Sequence, residues 1–301
     1  MAEVTLELIK TLREQTGAGM MDCKGALKET GGDLEEAATY LRKKGIARAD
    51  KKAGRAASEG AVAARVFNEG VEGILIEANC ETDFVSKNEK YQSFVDDLLD
   101  HVAEAGETES HEALLSQPFV KNPDESFGEY IKATAGGLGE NISLARTTYY
   151  KLDGHGAIGS YIHMGGKVGV LIEVAAGKAA TAAADAFLEL VKDLTLHIAA
   201  SAPICVNRDE VPDDIVEKEK DVFRDQMKDK PENIIENIIK GMVNKFYSQQ
   251  VLTEQAFVKD TDKSIKDLLA DTSKALGDEI SITRFTRYGL GENAPEVTEE
   301  D

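Results

Sequence analysis

The chain has 301 residues, 55 of them acidic and 35 basic, for a formal net charge of −20. That balance argues against nucleic acid or an anionic membrane as the main ligand, since phosphate binding needs a basic face, and it suits a soluble protein that meets a basic partner surface. The length allows two or three domains with a sizeable core, and the three cysteines, Cys23, Cys80 and Cys205, are too scattered for a disulfide framework or a metal spacing.

No basic stretch followed by an apolar run opens the chain, and no segment approaches the roughly 18 apolar residues of a membrane helix. A cytoplasmic location is therefore expected. Residues 1–45 read as three short helices. Val4, Leu6, Leu8, Ile9 and Leu12 mark one apolar face, and Thr16-Gly-Ala-Gly19 ends that run. A second segment runs from Met21 to Thr30 and stops at Gly31-Gly32. Asp33 is placed to cap a third, with Leu34, Ala37, Ala38 and Leu41 at helical spacing and Gly45 closing it. Residues 46–58, rich in Ala, Lys and Arg, read as an exposed linker, with a helical conformation left open.

A repeat begins at Glu59. Shifting the sequence by 96 places Gly73-Ile-Leu-Ile-Glu77 on Gly169-Val-Leu-Ile-Glu173, and Val95, Asp97, Leu98 and His101 on Val191, Asp193, Leu194 and His197. Each copy reads as a β-hairpin followed by a helix. In the first copy a turn falls at Asn68-Glu-Gly70, and Ser86 with Glu89 has capping-box spacing for a helix from about Lys87 to Ala105. In the second the turn is at Gly165-Gly166 and the helix runs from about Ala182 to Ala200. A shift of 138 matches Gly139-Glu-Asn-Ile-Ser-Leu-Ala-Arg146 with Gly277-Asp-Glu-Ile-Ser-Ile-Thr-Arg284, again a helix and then an alternating strand.

The two shifts differ by 42, which predicts an insertion of about that size in the second copy. Two amphipathic patterns fill it, Asp213 to Met227 and Pro231 to Tyr247, with Ile234, Ile235, Ile238 and Met242 on one face of the second. The predicted fold class is α+β: a three-helix N-terminal domain, then a duplicated core with antiparallel sheets, residues 59–152 and 153–290, carrying an inserted antiparallel helical hairpin at about 211–250. Residues 291–301 form an acidic tail that reads as disordered.

The usual acid, base and nucleophile sets of an enzyme are missing, as are the phosphate-loop, His-Glu-x-x-His and Gly-x-Ser-x-Gly motifs. No catalytic residue, metal ligand or cofactor is expected. His101 and His197, at equivalent helical positions, read as packing residues. Thr82-Asp83-Phe84-Val85 differs, because the second copy offers only Lys178-Ala-Ala-Thr181 in the same slot. Phe84 either fills a crevice below a strand-to-helix turn or stands out as a wedge on that turn, held by Asp83. A scaffold used twice needs the same apolar positions twice, so the repeat favours the wedge. Two adjacent methionines, Met20 and Met21, at a helix start cannot share one face, and Met suits adaptable contact surfaces.

Thr16-Gly-Ala-Gly-Met-Met-Asp-Cys-Lys24 and Asn79-Cys-Glu-Thr-Asp-Phe-Val85 together resemble the two signatures of the elongation factor Ts family. Leu138-Gly-Glu-Asn-Ile142, Tyr161-Ile-His-Met-Gly-Gly166, His197-Ile-Ala-Ala200 and Phe257-Val258 extend the resemblance to about residue 290. It implies a ubiquitin-associated-like first domain and a guanine-nucleotide exchange function on elongation factor Tu, GDP-bound and nucleotide-free, with no direct nucleic acid or membrane contact. It leaves room for a dimer of heterodimers. By position it implies partner contacts at Met20, Met21, Lys24, Asp83, Phe84, Leu138, Gly139, His163 and Val258. Thr82, Asp83, Phe84 and Val85 would disturb the partner's Mg²⁺ site. Gly25 stands where the family often has a second Lys, and Ala256 where it often has Pro. A passive binding scaffold and a metal-dependent hydrolase are the competing classes.

Overall fold

The computed structural model describes residues 4–225 and 232–293. Helices α1 (Leu6–Thr16), α2 (Met20–Glu29) and α3 (Leu34–Asp50) come first. Thr5 and Asp33 cap α1 and α3, each accepting a backbone N–H three residues on, and Gly17 ends α1 in the left-handed region at φ 65°. Leu12, Cys23, Leu27 and Ala37 form a small core of their own. Leu6, expected on that apolar face, is exposed in the first turn of α1.

The first repeat copy comprises β1 (Glu59–Phe67), β2 (Glu72–Cys80), α4 (Asp83–Ser86), α5 (Glu89–Ala105), α6 (His111–Ser116), β3 (Pro118–Phe119), β4 (Asn122–Ser126), α7 (Phe127–Leu138) and β5 (Ser143–Lys151). The second comprises β6 (His155–His163), β7 (Val168–Ala176), α8 (Ala179–Ala182), α9 (Asp185–Ser201), α10 (Asp213–Asp225), α11 (Glu232–Gln250), β8 (Ala256–Phe257), β9 (Asp260–Ser264), α12 (Ile265–Leu276) and β10 (Ile280–Gly289). Two antiparallel three-stranded sheets result, in the orders β1-β2-β5 and β10-β7-β6.

The middle strands read as continuous apolar runs because both of their faces are covered. In β2, Ile74 and Ile76 pack with Phe94 and Leu98 of α5, while Leu75 packs between the sheets with Val62, Ile158 and Leu171. Residues Ile172 and Val174 of β7 repeat this against Phe187 and Leu194 of α9. The copies are tied reciprocally. Arg146 lies 4.0 Å over the Tyr288 ring, and Arg284 lies 4.1 Å over the Tyr150 ring. Each arginine also neutralises a buried glutamate of its own sheet, Glu77 or Glu173.

Three local expectations are corrected. Gly45 does not close α3, which continues to Asp50 and carries Ala49 into the first copy's core, so the expected linker begins as helix. Gly45 is there because α3 crosses α7 at backbone contact: a Cβ on Gly136 would collide with the Gly45 carbonyl. The cap of α5 is Asn88, not Ser86, since Ser86 turns back to donate to the Asp83 carbonyl at 3.0 Å within α4. In the hairpin, the buried positions of α11 among the described side chains are Ile239 and Val243, in one cluster with Val216 of α10 and Val211 just before it, with Ile238 and Met242 only half-buried. The side chains of Ile234 and Ile235, the expected helix ends at Met227 and Pro231, and the tail from residue 294 lie outside the described residues. Among the described residues no helix is long and apolar enough to cross a membrane.

Candidate functional site

The turn carrying Phe84 is built by carboxylate and hydroxyl contacts from Thr82, Glu140 and Glu81. Thr82 caps α4, its Oγ1 accepting the Val85 N–H at 3.3 Å. Glu140, just past the end of α7, accepts the N–H groups of Glu81 and Thr82 at 3.0 Å each through Oε2. Its Oε1 accepts the Thr82 hydroxyl at 2.6 Å. In return Glu81 Oε1 accepts the Asn141 N–H at 2.6 Å, and the Asn141 amide donates to the Arg55 carbonyl at 2.6 Å.

On this turn Val85 packs against the first copy's core and Phe84, about a quarter-turn of helix away, is 83% exposed. The crevice reading of Phe84 fails, and the protruding one holds. Asp83 ion-pairs with Lys87 at 2.6 Å, which holds its carboxyl below the ordinary range. Such an exposed pair contributes little to stability, so the stiffness of the turn comes from Glu140 and Thr82 rather than from Asp83. Cys80 lies under the turn with its Sγ 3.2 Å from the Thr82 carbonyl, and burial pushes the thiol up to about 11, leaving it protonated and unreactive near neutrality.

The β6–β7 hairpin tip lies alongside β1, which also touches α4. The Val62 N–H donates to the Gly166 carbonyl at 2.8 Å, and Lys167 pairs with Glu59 at 2.7 Å. His163 is exposed at this tip with Nδ1 3.0 Å from the Tyr161 hydroxyl. Met164 beside it is exposed in the left-handed region at φ 49°. Met164 is absent from the site set read from the sequence, although an apolar residue directly before a Gly-Gly turn is a signal that could have found it.

Met20 and Met21 open α2, and both are exposed, Met21 to 76%; Lys24 is exposed on the next turn. The loop before them is fixed to α5, where Lys90 donates to the Gly17 carbonyl at 2.7 Å. Leu138 is half-buried at the end of α7 and Gly139 is exposed, its carbonyl accepting from Lys52. Thus the loop before α2 is tied to α5, while the turn of α4 and the segment after α3 are both tied to the end of α7. Val258 is placed elsewhere. It sits half out of the β8–β9 turn, its N–H donating to His197 Nδ1 at 3.3 Å. Copy one has the same device in Val120 and His101.

Nothing in this arrangement supplies an acid, a base and a nucleophile together. What it offers is an aromatic ring held out from a clamped turn, with exposed methionines opening α2 and an exposed methionine and histidine at the β6–β7 tip. Among the described residues no group of three His, Cys, Asp or Glu could hold a metal ion.

The family model described as Elongation factor TS matches residues 81–292. The chain is 46% identical to an elongation factor Ts of Trichlorobacter lovleyi over 291 residues, covering 96% of this chain and 93% of the relative. It is 43% identical to one of Nitratidesulfovibrio vulgaris, covering 97% of each chain. A third, from Prosthecochloris aestuarii, is 42% identical, with 97% of this chain and 100% of the relative covered.

Proposed function

The chain belongs to the elongation factor Ts family, and from that premise we propose that it is the guanine-nucleotide exchange factor of elongation factor Tu. It binds the partner in the GDP-bound and nucleotide-free states in the cytoplasm and promotes GDP release, allowing GTP to load. It performs no covalent chemistry of its own. The observation that carries this reading is Phe84, 83% exposed on a turn that Glu140 clamps.

In this mechanism Phe84, with Thr82, Asp83 and Val85 behind it, enters the partner beside its Mg²⁺ site and loosens the magnesium and phosphate contacts that hold GDP. Burying one Phe supplies roughly 1.5–3 kcal/mol, about one to two powers of ten in an equilibrium constant. A larger effect draws on the whole interface, so Met20, Met21, Lys24, Leu138, Gly139, His163 and Val258 grip while Phe84 disturbs. Linkage then requires that GDP weaken factor binding by the same factor by which the chain weakens GDP binding.

The test is release of a fluorescent GDP analogue from elongation factor Tu at substoichiometric amounts of this chain. Multiple turnovers per molecule support exchange. Binding that is equally tight with and without GDP, and no acceleration, would assign the chain to the passive scaffold class.

A further inference from the structure

Phe84 can act as a wedge only if the turn beneath it resists being pushed back, and α4 is a four-residue helix that cannot supply that resistance alone. The resistance has a visible source outside α4. We propose that Glu140 is a positioning residue for nucleotide exchange, its carboxylate holding the Thr82 end of the turn so that Phe84 meets the partner in one orientation. The inference rests on the exchange reading given above.

The geometry favours this role over a generic loop contact. One carboxylate takes three donors, the N–H groups of Glu81 and Thr82 and the Thr82 hydroxyl. Charge-assisted bonds of this kind are roughly twice as strong as neutral ones. Thr82 spends its hydroxyl hydrogen on Glu140 and still accepts the Val85 N–H, so the clamp runs in an unbroken chain from Glu140 to the residue after Phe84. The far end is anchored too. Gly139 leaves α7 in the left-handed region at φ 82°, and Asn141 is tied to Glu81 and Arg55.

The second copy gives the contrast. Asp278 is the repeat counterpart of Glu140, and α8 is the counterpart of α4. There the hydroxyl lies at Thr181, where it holds the Asp278 carboxyl below its ordinary range, and Lys178 caps α8 with no side-chain bond. The first copy has moved the hydroxyl to the cap and lengthened the acid by one methylene. Lys178 is itself paired with Asp278 at 4.0 Å, whereas Thr82 joins its acid to the Val85 N–H through one hydroxyl.

The experiment compares wild type, Glu140→Ala, Glu140→Gln, Phe84→Ala and the double variant Glu140→Ala/Phe84→Ala in release of a fluorescent GDP analogue from elongation factor Tu. Each is titrated to saturation, so that the maximal rate separates from the half-saturating concentration. Glu140→Ala is expected to lower the maximal rate about tenfold with little change in half-saturation. Glu140→Gln, which still offers an acceptor to the backbone amides, is expected to retain most of the rate. In the Phe84→Ala background Glu140→Ala should add no further loss, because its effect passes through Phe84. Thr82→Val, which removes the hydroxyl bond to Glu140 together with the cap on the Val85 N–H and leaves the two backbone amides on Glu140, carries the same comparison if Glu140→Ala does not fold. A wild-type rate for Glu140→Ala, or losses that multiply in the double variant, overturns this inference alone. A wild-type chain that leaves release unchanged overturns the exchange reading and this inference with it.

Discussion

Phe84 and Ala180 occupy the same place in two copies of one turn, the second residue of α4 and of α8, and both are exposed. The hairpin before each turn and the long helix after it superimpose in sequence and in register. The duplicated scaffold thus presents two equivalent sites, and only one carries an aromatic side chain. Its surroundings differ as well: in the first copy α5 holds the loop before α2 through Lys90, and β1 is strapped to the β6–β7 tip through Val62 and Lys167.

Ala180→Phe should therefore create no second wedge. Its GDP-release rate should equal that of wild type, and thermal unfolding should show a stability change within about 0.5 kcal/mol, as for ordinary surface substitutions. A gain in exchange, or rescue of Phe84→Ala by Ala180→Phe, would contradict the assignment of the two copies to different tasks.

The crossing of α3 and α7 sets where Met20 and Met21 stand relative to Phe84. Gly136→Ala forces the Gly45 backbone away, since no side chain is present there to give. The overpacking cost should be about 1–3 kcal/mol in urea unfolding. The functional signature is a raised half-saturating concentration with a nearly unchanged maximal rate, because the grip moves while the wedge stays clamped.

Glu77 is only 2% exposed, and it accepts from Arg146 Nε at 2.5 Å and from the Gly291 N–H at 2.8 Å. Arg146→Met leaves that carboxylate buried without its countercharge, which should cost about 3 kcal/mol. Arg284→Met should cost less, because Arg284 is 47% exposed against 21% for Arg146 and water can reach the vacated place. Urea unfolding of the two variants side by side checks the order.

His197 is buried with its tautomer fixed. Nδ1 accepts the Val258 N–H at 3.3 Å, and Nε2 donates to Gln255 Oε1 at 2.9 Å, since the Gln255 amide nitrogen already donates to the Ser201 and Gln249 carbonyls. A second proton on Nδ1 would face an N–H, and burial pushes the His197 pKa below its ordinary value. The unfolded chain takes up that proton below about pH 6.5 while the folded chain resists it. The stability His197 contributes is thus complete above that pH and is lost as pH falls. His101, also lowered by burial, acts in the same direction. Between pH 7.5 and 5.5 the stability gap between wild type and His197→Gln should narrow by up to about 1.4 kcal/mol per pH unit. A constant gap would contradict a neutral folded imidazole.

Much of the fold was legible in the sequence because the duplication printed it twice. A residue pattern such as Gly73 to Glu77, recurring at Gly169 to Glu173, is constrained by two buried faces and reads as a middle strand in both places. What misled was glycine with more than one use. Gly45 reads as a helix stop, yet it permits a helix crossing that depends on Gly136, ninety-one positions away and invisible to local pattern. Ser86 and Glu89 have capping spacing, but the chain makes a separate short helix first, and Thr82 and Asn88 take the caps. At the candidate site, repeat comparison singled out Phe84 because it lacks a counterpart. It passed over Glu140, whose role comes from hydrogen bonds 58 and 59 residues away in sequence. It also passed over Met164, whose exposure depends on a turn strapped to β1.

The account stands most directly on Phe84. The decisive measurement is stopped-flow release of a fluorescent GDP analogue from elongation factor Tu, with wild-type chain and with Phe84→Ala at saturating concentration. The expected result is a Phe84→Ala protein with unchanged unfolding temperature whose maximal release rate falls by about ten- to a hundredfold, the share one buried Phe can supply. Release by Phe84→Ala as fast as by wild type would contradict the wedge.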